Sequence, residues 1–82
     1  MSAEVDNLVR RLLTRREEFF DKSNVLNSDG RRLLSKIIRT VLSEYPELRK
    51  LASKTRKNPT LENVTKLVEE ITRVRELKKS HT

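Results

Sequence analysis

The sequence predicts an all-α fold, a small compact bundle of about four helices, three longer and one short. Three observations carry that prediction. Gly occurs once and Pro twice in 82 residues, so few positions interrupt a helix. No stretch alternates apolar with polar residues for long, and β-branched runs are short, so the pattern of a half-buried strand is missing. Apolar residues instead recur at spacings of three and four along several segments, which places them on one face of a helix.

The first helix is expected to begin near Ser2, a plausible N-cap with Glu4 and Asp6 in the first turn, and to bury Val5, Leu8, Val9, Leu12, Leu13, Phe19 and Phe20 before fading around Asp21. "DKSNVLNSDG" then reads as a loop, because Asp, Ser and Asn side chains bond to nearby backbone and compete with helix. Val25 and Leu26 are placed to plug the core from within it. A second helix starts close to Asn27, Ser28 or Asp29, any of which can cap it, and buries Leu33, Leu34, Ile37, Ile38, Val41 and Leu42. Pro46 stops it at or before Tyr45, since proline disfavours helical geometry in the residue before it. The same proline suits the first turn of a short third helix that runs to about Lys57, with Leu48, Leu51 and Ala52 inward. Asn58 and Pro59 read as the cap and first turn of a fourth helix, whose broad stripe is Leu61, Val64, Leu67, Val68, Ile71, Val74 and Leu77. Residues 1–79 form one domain, and 80–82 a frayed tail.

Eighty-two residues suffice for one domain whose single core supplies only about 3–5 kcal/mol. There is no Cys, which excludes disulfides and thiolate metal sites and fits a reducing cytoplasmic setting. The chain contains no long apolar run and no secretory leader pattern, so it is expected to be soluble, with no membrane association. Charged residues make up 38% of the chain, Gln is absent and Met appears once, a balance seen in thermophile proteins.

Charge is distributed unevenly. Residues 1–29 have a net charge of −1 and residues 58–82 of +1, while residues 30–57 hold nine basic and two acidic side chains, a net of +7. At about 100° per residue, Arg32, Lys36 and Arg39 form one row nearly opposite Leu34, Ile37 and Val41. Lys50, Lys54 and Lys57 repeat the i, i+4, i+7 spacing on the third helix, opposite its leucines. The two segments align as "RRLLSK" and "RKLASK", either a degenerate repeat or a coincidence of a Leu/Lys/Ser-rich chain. Such rows suit nucleic-acid phosphates, whose released counterions provide sequence-independent affinity. An acidic protein would be attracted equally, and the bland alternative is a solvated surface.

Other readings are weaker. The second and third helices around Glu44 to Pro46 have the order of a helix-turn-helix, but the outward Lys side chains of the third suit phosphates better than bases. Phe19 and Phe20 read as core; Tyr45 is either a stacking or phosphate-bonding residue or a half-buried joint between helices. Val64, Leu67, Ile71 and Val74 follow spacings compatible with a coiled-coil seam, which leaves self-association open beside an internal core role. No enzyme is expected: His81 sits in the polar tail, "NSDG" lacks the remaining ligands of a calcium loop, and the Glu17-Glu18 and Glu69-Glu70 pairs have basic neighbours. No cofactor or metal is implied.

In size, basic charge, all-helical pattern and thermophile-like composition the chain resembles the small accessory subunits of archaeal B-family DNA polymerase holoenzymes. That resemblance implies a non-catalytic protein that docks on a larger partner, a DNA polymerase, and supports its action on DNA. It matches no motif and transfers no residue role. The DNA-binding expectation therefore rests on Arg32, Lys36, Arg39, Lys50, Lys54 and Lys57, and the alternative is a protein-interaction module whose basic face meets an acidic partner.

Overall fold

The computed structural model describes residues 2–80. Its elements are helices α1 (Ser2–Thr14), α2 (Arg16–Phe19) and α3 (Ser28–Glu44), a 3₁₀ turn (Pro46–Leu48), and helices α4 (Arg49–Lys57) and α5 (Leu61–Ser80). Among the described residues there is no β-strand, only isolated bridges between Phe20 and Leu26 and between Val25 and Thr60. The architecture is the all-α bundle that the periodicity predicts, with α2 as an added single turn.

That added turn corrects the expected first helix. α1 ends at Thr14, whose hydroxyl donates to the Arg10 carbonyl at 2.6 Å. Arg15 then leaves helical geometry at φ −108°, ψ 52°. The reason is visible in the spacing: three and four positions beyond Leu12 and Leu13 lie Arg15, Arg16 and Glu17, so a straight continuation has nothing apolar to bury. Breaking the helix lets the chain turn Phe20 into the core and leaves Phe19 half-buried. The helix starts at Ser2, and the capping role expected of that side chain lies outside the described side chains.

The connection from Phe20 to Asn27 is tied from several sides. Asp21 Oδ1 accepts from the amides of Ser23 and Val25 at 2.8 and 3.1 Å, and Asn24 adopts φ 61°, a conformation that Asn tolerates. The Leu26 amide donates to the Pro59 carbonyl at 2.9 Å, and the Leu61 amide to the Asn24 carbonyl at 2.7 Å. Leu26 is thereby driven into the core, while Val25 stays half-buried. Of the three capping candidates for α3, Asn27 does the work: its Oδ1 accepts from the Gly30 amide at 2.8 Å, and its Nδ2 donates to the Glu18 carbonyl at 2.6 Å. Gly30, included in the predicted loop, is the third residue of α3.

α3 ends at Glu44, with Tyr45 as its non-helical C-cap before Pro46, as the proline dictates. Pro46 opens a 3₁₀ turn in place of the first turn of an α-helix, and α4 follows from Arg49. The expected Asn58–Pro59 cap is also corrected. Thr60 caps α5, its hydroxyl accepting from the Asn63 amide at 3.1 Å and its carbonyl from Val64 at 2.9 Å. Pro59 lies before the helix, buried, because its carbonyl is taken by Leu26. The Asn58 carbonyl accepts from the Thr60 amide and from Asn63 Nδ2, each at 2.8 Å. α5 runs on to Ser80, and residues 81 and 82 of the expected tail lie outside the described residues.

One core joins all the elements: Val5 and Leu12 from α1, Leu33, Leu34, Ile37, Ile38 and Val41 from α3, Leu48 and Ala52, and Val64, Leu67 and Ile71 from α5, closed by Phe20 and Leu26. The middle of the α5 stripe is thus spent inside the bundle. Leu61, Val68 and Val74 are half-buried, and Leu77, 53% exposed, is the part that emerges. Thr55 is fully buried, its hydroxyl satisfied by the Leu51 carbonyl one turn back at 2.9 Å.

Arg75 of α5 closes the bundle against α1 by donating to Asp6 Oδ1 at 2.7 Å. The hydrogen bond from Arg75 holds the Asp6 carboxyl below the usual aspartate range, and the same bond raises Arg75. A carboxylate with a lowered folded-state pKa stabilises above the unfolded value of about 3.9, and the contribution is lost as pH falls through the folded value. Asp6 is 52% exposed, so solvent screening limits the effect to about 0.5 kcal/mol. Urea unfolding at pH 6 should show Asp6→Asn slightly less stable than the unsubstituted protein, and the gap should close as the pH falls well below the unfolded value of about 3.9. A gap that persists there would assign the effect to packing.

Candidate nucleic-acid interface

All nine basic side chains of residues 30–57 are exposed. Among the described residues the ion pairs are Arg15–Glu18, Arg73–Glu70, Arg75–Asp6 and Lys78–Glu47, and none of the nine takes part in any of them. Even Glu47, one of the two acids of the basic segment, turns to Lys78 on α5, at 3.2 Å. The Glu47 carboxyl is held below the usual glutamate range first by its own backbone amide and then by Lys78. A surface built from ion-pair networks would pair these cations with carboxylates. The structure instead leaves them without an ion pair among the described residues, so their field is reduced by salt over about 8 Å at physiological ionic strength and, on α3, by nearby carboxylates.

The two predicted rows occupy different flanks. Arg32 and Lys36 border a shallow depression with Arg11, Phe19 and Asp29, and Lys36 and Arg39 border a second with Glu4, Leu8 and Thr40. This flank of α3 faces α1 and borders two carboxylates, Asp29 from the first turn of α3 itself and Glu4 from α1, whose Oε1 accepts from the Thr40 hydroxyl at 3.5 Å. α4 packs on the other flank of α3, the one that carries Ile38 and Leu42. The row on α3 and the row on α4 therefore do not merge into one face. Lys50, Lys54 and Lys57 sit on the outer side of α4, opposite buried Leu48 and Ala52, with no carboxylate in the same helix.

Sequence reasoning passed over Arg49 and Arg56. With Lys57 they line a groove whose floor is Ile38, Leu42 and Ala52, between α3 and α4. Arg49, Ser53 and Arg56 have the same i, i+4, i+7 spacing as the lysine row, turned by one residue or about 100°. The signal was present in "RKLASKTRK", but which of the two rows meets α3 depends on how the helices pack.

Tyr45 settles as the half-buried joint. Lys78 lies 5.0 Å from its ring centroid, close enough for a cation–π contact, so Tyr45 connects the end of α3 to α5. Among the described residues no helix is long and apolar enough to cross a membrane. No protein-family model, curated protein or solved structure matches the chain.

Proposed function

We propose that the protein is a non-catalytic cytoplasmic accessory component of nucleic-acid machinery that binds the phosphate backbone through residues 30–57 and docks on a larger protein, such as a DNA polymerase. The observation that supports this reading is the set of nine exposed cations that have no ionic partner among the described residues. An unpaired Lys or Arg at the surface gives up little when it meets a phosphate, because no internal pair has to break. The Lys50, Lys54 and Lys57 row is the stronger half of the surface. The Arg32, Lys36 and Arg39 row is tempered by nearby Asp29 and Glu4.

The test is binding to labelled duplex and single-stranded DNA across a salt series. Four to six neutralised phosphates correspond to a slope of about −4 to −5 in log affinity against log salt. Reversing Lys50, Lys54 and Lys57 to Glu is expected to lower the slope by about 3 while the helical circular dichroism is unchanged. Absence of binding at low salt removes the nucleic-acid reading. Binding that survives the reversal moves the site off α4.

A further inference from the structure

We infer that the groove between α3 and α4 is a docking site for an acidic amphipathic helix of a partner protein. Its floor is Ile38, Leu42 and Ala52, its rim is Arg49, Arg56 and Lys57, and Ser53 completes the wall. Two properties of the groove select the occupant together. The rim cations have no carboxylate partner among the described residues, and no acidic residue lines the groove, so charge complementarity calls for Asp or Glu. The floor is aliphatic, and although Ile38 and Ala52 are already buried in the core, Leu42 is only half-buried, so the occupant must also bring an apolar side chain to gain from covering it.

Nucleic acid meets only the first requirement. Phosphates gain nothing from an aliphatic floor, and no aromatic side chain lines the groove to stack a base. Its space of about 400 Å³ is at the small end of ligand pockets, and no carboxylate, His or Cys lines it. A peptide added as a β-strand would need a sheet edge, and among the described residues there is no strand to extend, while a polyproline II peptide would need aromatic side chains that do not line this groove. A helix bearing apolar residues at i, i+4 and i+7, flanked by carboxylates, satisfies floor and rim at once, with Arg49 and Arg56 able to hold carboxylates through paired N–H donors.

This assignment builds on the docking half of the function proposed above and is independent of its DNA half. The experiment uses the full chain at 150 mM salt and three fluorescent peptides. One is a helical Leu/Glu peptide with the leucines in a single stripe. The second has the same composition with the stripe scrambled, and the third replaces each Glu by Lys. The first should bind saturably and the others should not. Arg49→Glu with Arg56→Glu should weaken it at least about tenfold, Arg49→Gln with Arg56→Gln less, and Lys50→Glu with Lys54→Glu by no more than about twofold. Equal binding of the scrambled peptide would reduce the groove to diffuse charge and overturn the assignment. So would DNA that displaces the peptide and is itself lost on reversing Arg49 and Arg56, or a dimer that the same reversal dissolves. Loss of DNA binding in the lysine variants, with the peptide still bound, touches only the phosphate reading.

Discussion

Replacing Gly30 by alanine is expected to destabilise the protein by about 2–3 kcal/mol, the cost of forcing a methyl group into packed surroundings. For a glycine inside a helix the usual expectation has the opposite sign, a gain of roughly 0.5–1 kcal/mol. The reversal comes from what faces Gly30. A Cβ built there lies 2.5 Å from the Phe19 carbonyl oxygen, 2.6 Å from Leu26 Cδ2 and 3.2 Å from Phe19 Cβ. The leucine methyl can move, but the carbonyl is backbone and is already engaged, accepting from the Asn27 amide at 2.8 Å. Relief therefore requires α2 to lift from the start of α3, which also strains the Asn27 bonds to Glu18 and Gly30. In a domain of this size such a loss should lower the melting temperature by roughly 8–20 °C. A thermal melt that shows Gly30→Ala unchanged or more stable would mean that α2 does not hold the close approach in solution.

Leu26→Ala is expected to cost about 3 kcal/mol, within the range for deleting a fully enclosed leucine side chain. Leu26 is 2% exposed although it belongs to a connection, not a helix. Its position is fixed by the bond from its amide to the Pro59 carbonyl and by the bridge between Phe20 and Leu26, so the segment cannot collapse readily to fill the cavity. The two substitutions share an atom contact and should not add. In the Leu26→Ala background the methyl of Gly30→Ala loses one of its two severe clashes, so the double variant should be more stable than the sum by at least about 0.5 kcal/mol. Urea titration of the four proteins gives this coupling directly. Strict additivity would place the whole Gly30 effect on the Phe19 carbonyl.

Both predictions concern one corner of the molecule, and that corner is where sequence reasoning was weakest. The long helices were legible because their cores repeat: Leu33, Leu34, Ile37, Ile38 and Val41 can lie on one side only if the segment is helical. Pro46 marked the end of α3 because its effect on the preceding residue is local. The break at Arg15 was only half legible, as a gap in the apolar rhythm. The cap at Thr60 was masked by Asn58 and Pro59, which look like a cap and first turn until the Pro59 carbonyl is seen to serve Leu26. That competition is between residues more than thirty positions apart, and no local pattern encodes it.

The candidate site divides in the same way. Composition and spacing by themselves determined that a net charge of +7 resides in residues 30–57, that it stands on helices, and that its side chains point away from the core, because apolar and basic residues occupy opposite faces at 3.6 residues per turn. Only the tertiary structure decided that the two rows lie on separate flanks, that carboxylates stand beside one and not the other, and that Arg49 and Arg56 border an apolar groove. The physical reason is that helical periodicity fixes angles around one axis. Where two rows stand relative to each other depends on how the axes pack, which is set by contacts such as Leu26 to Pro59 and Asp6 to Arg75 between distant parts of the chain.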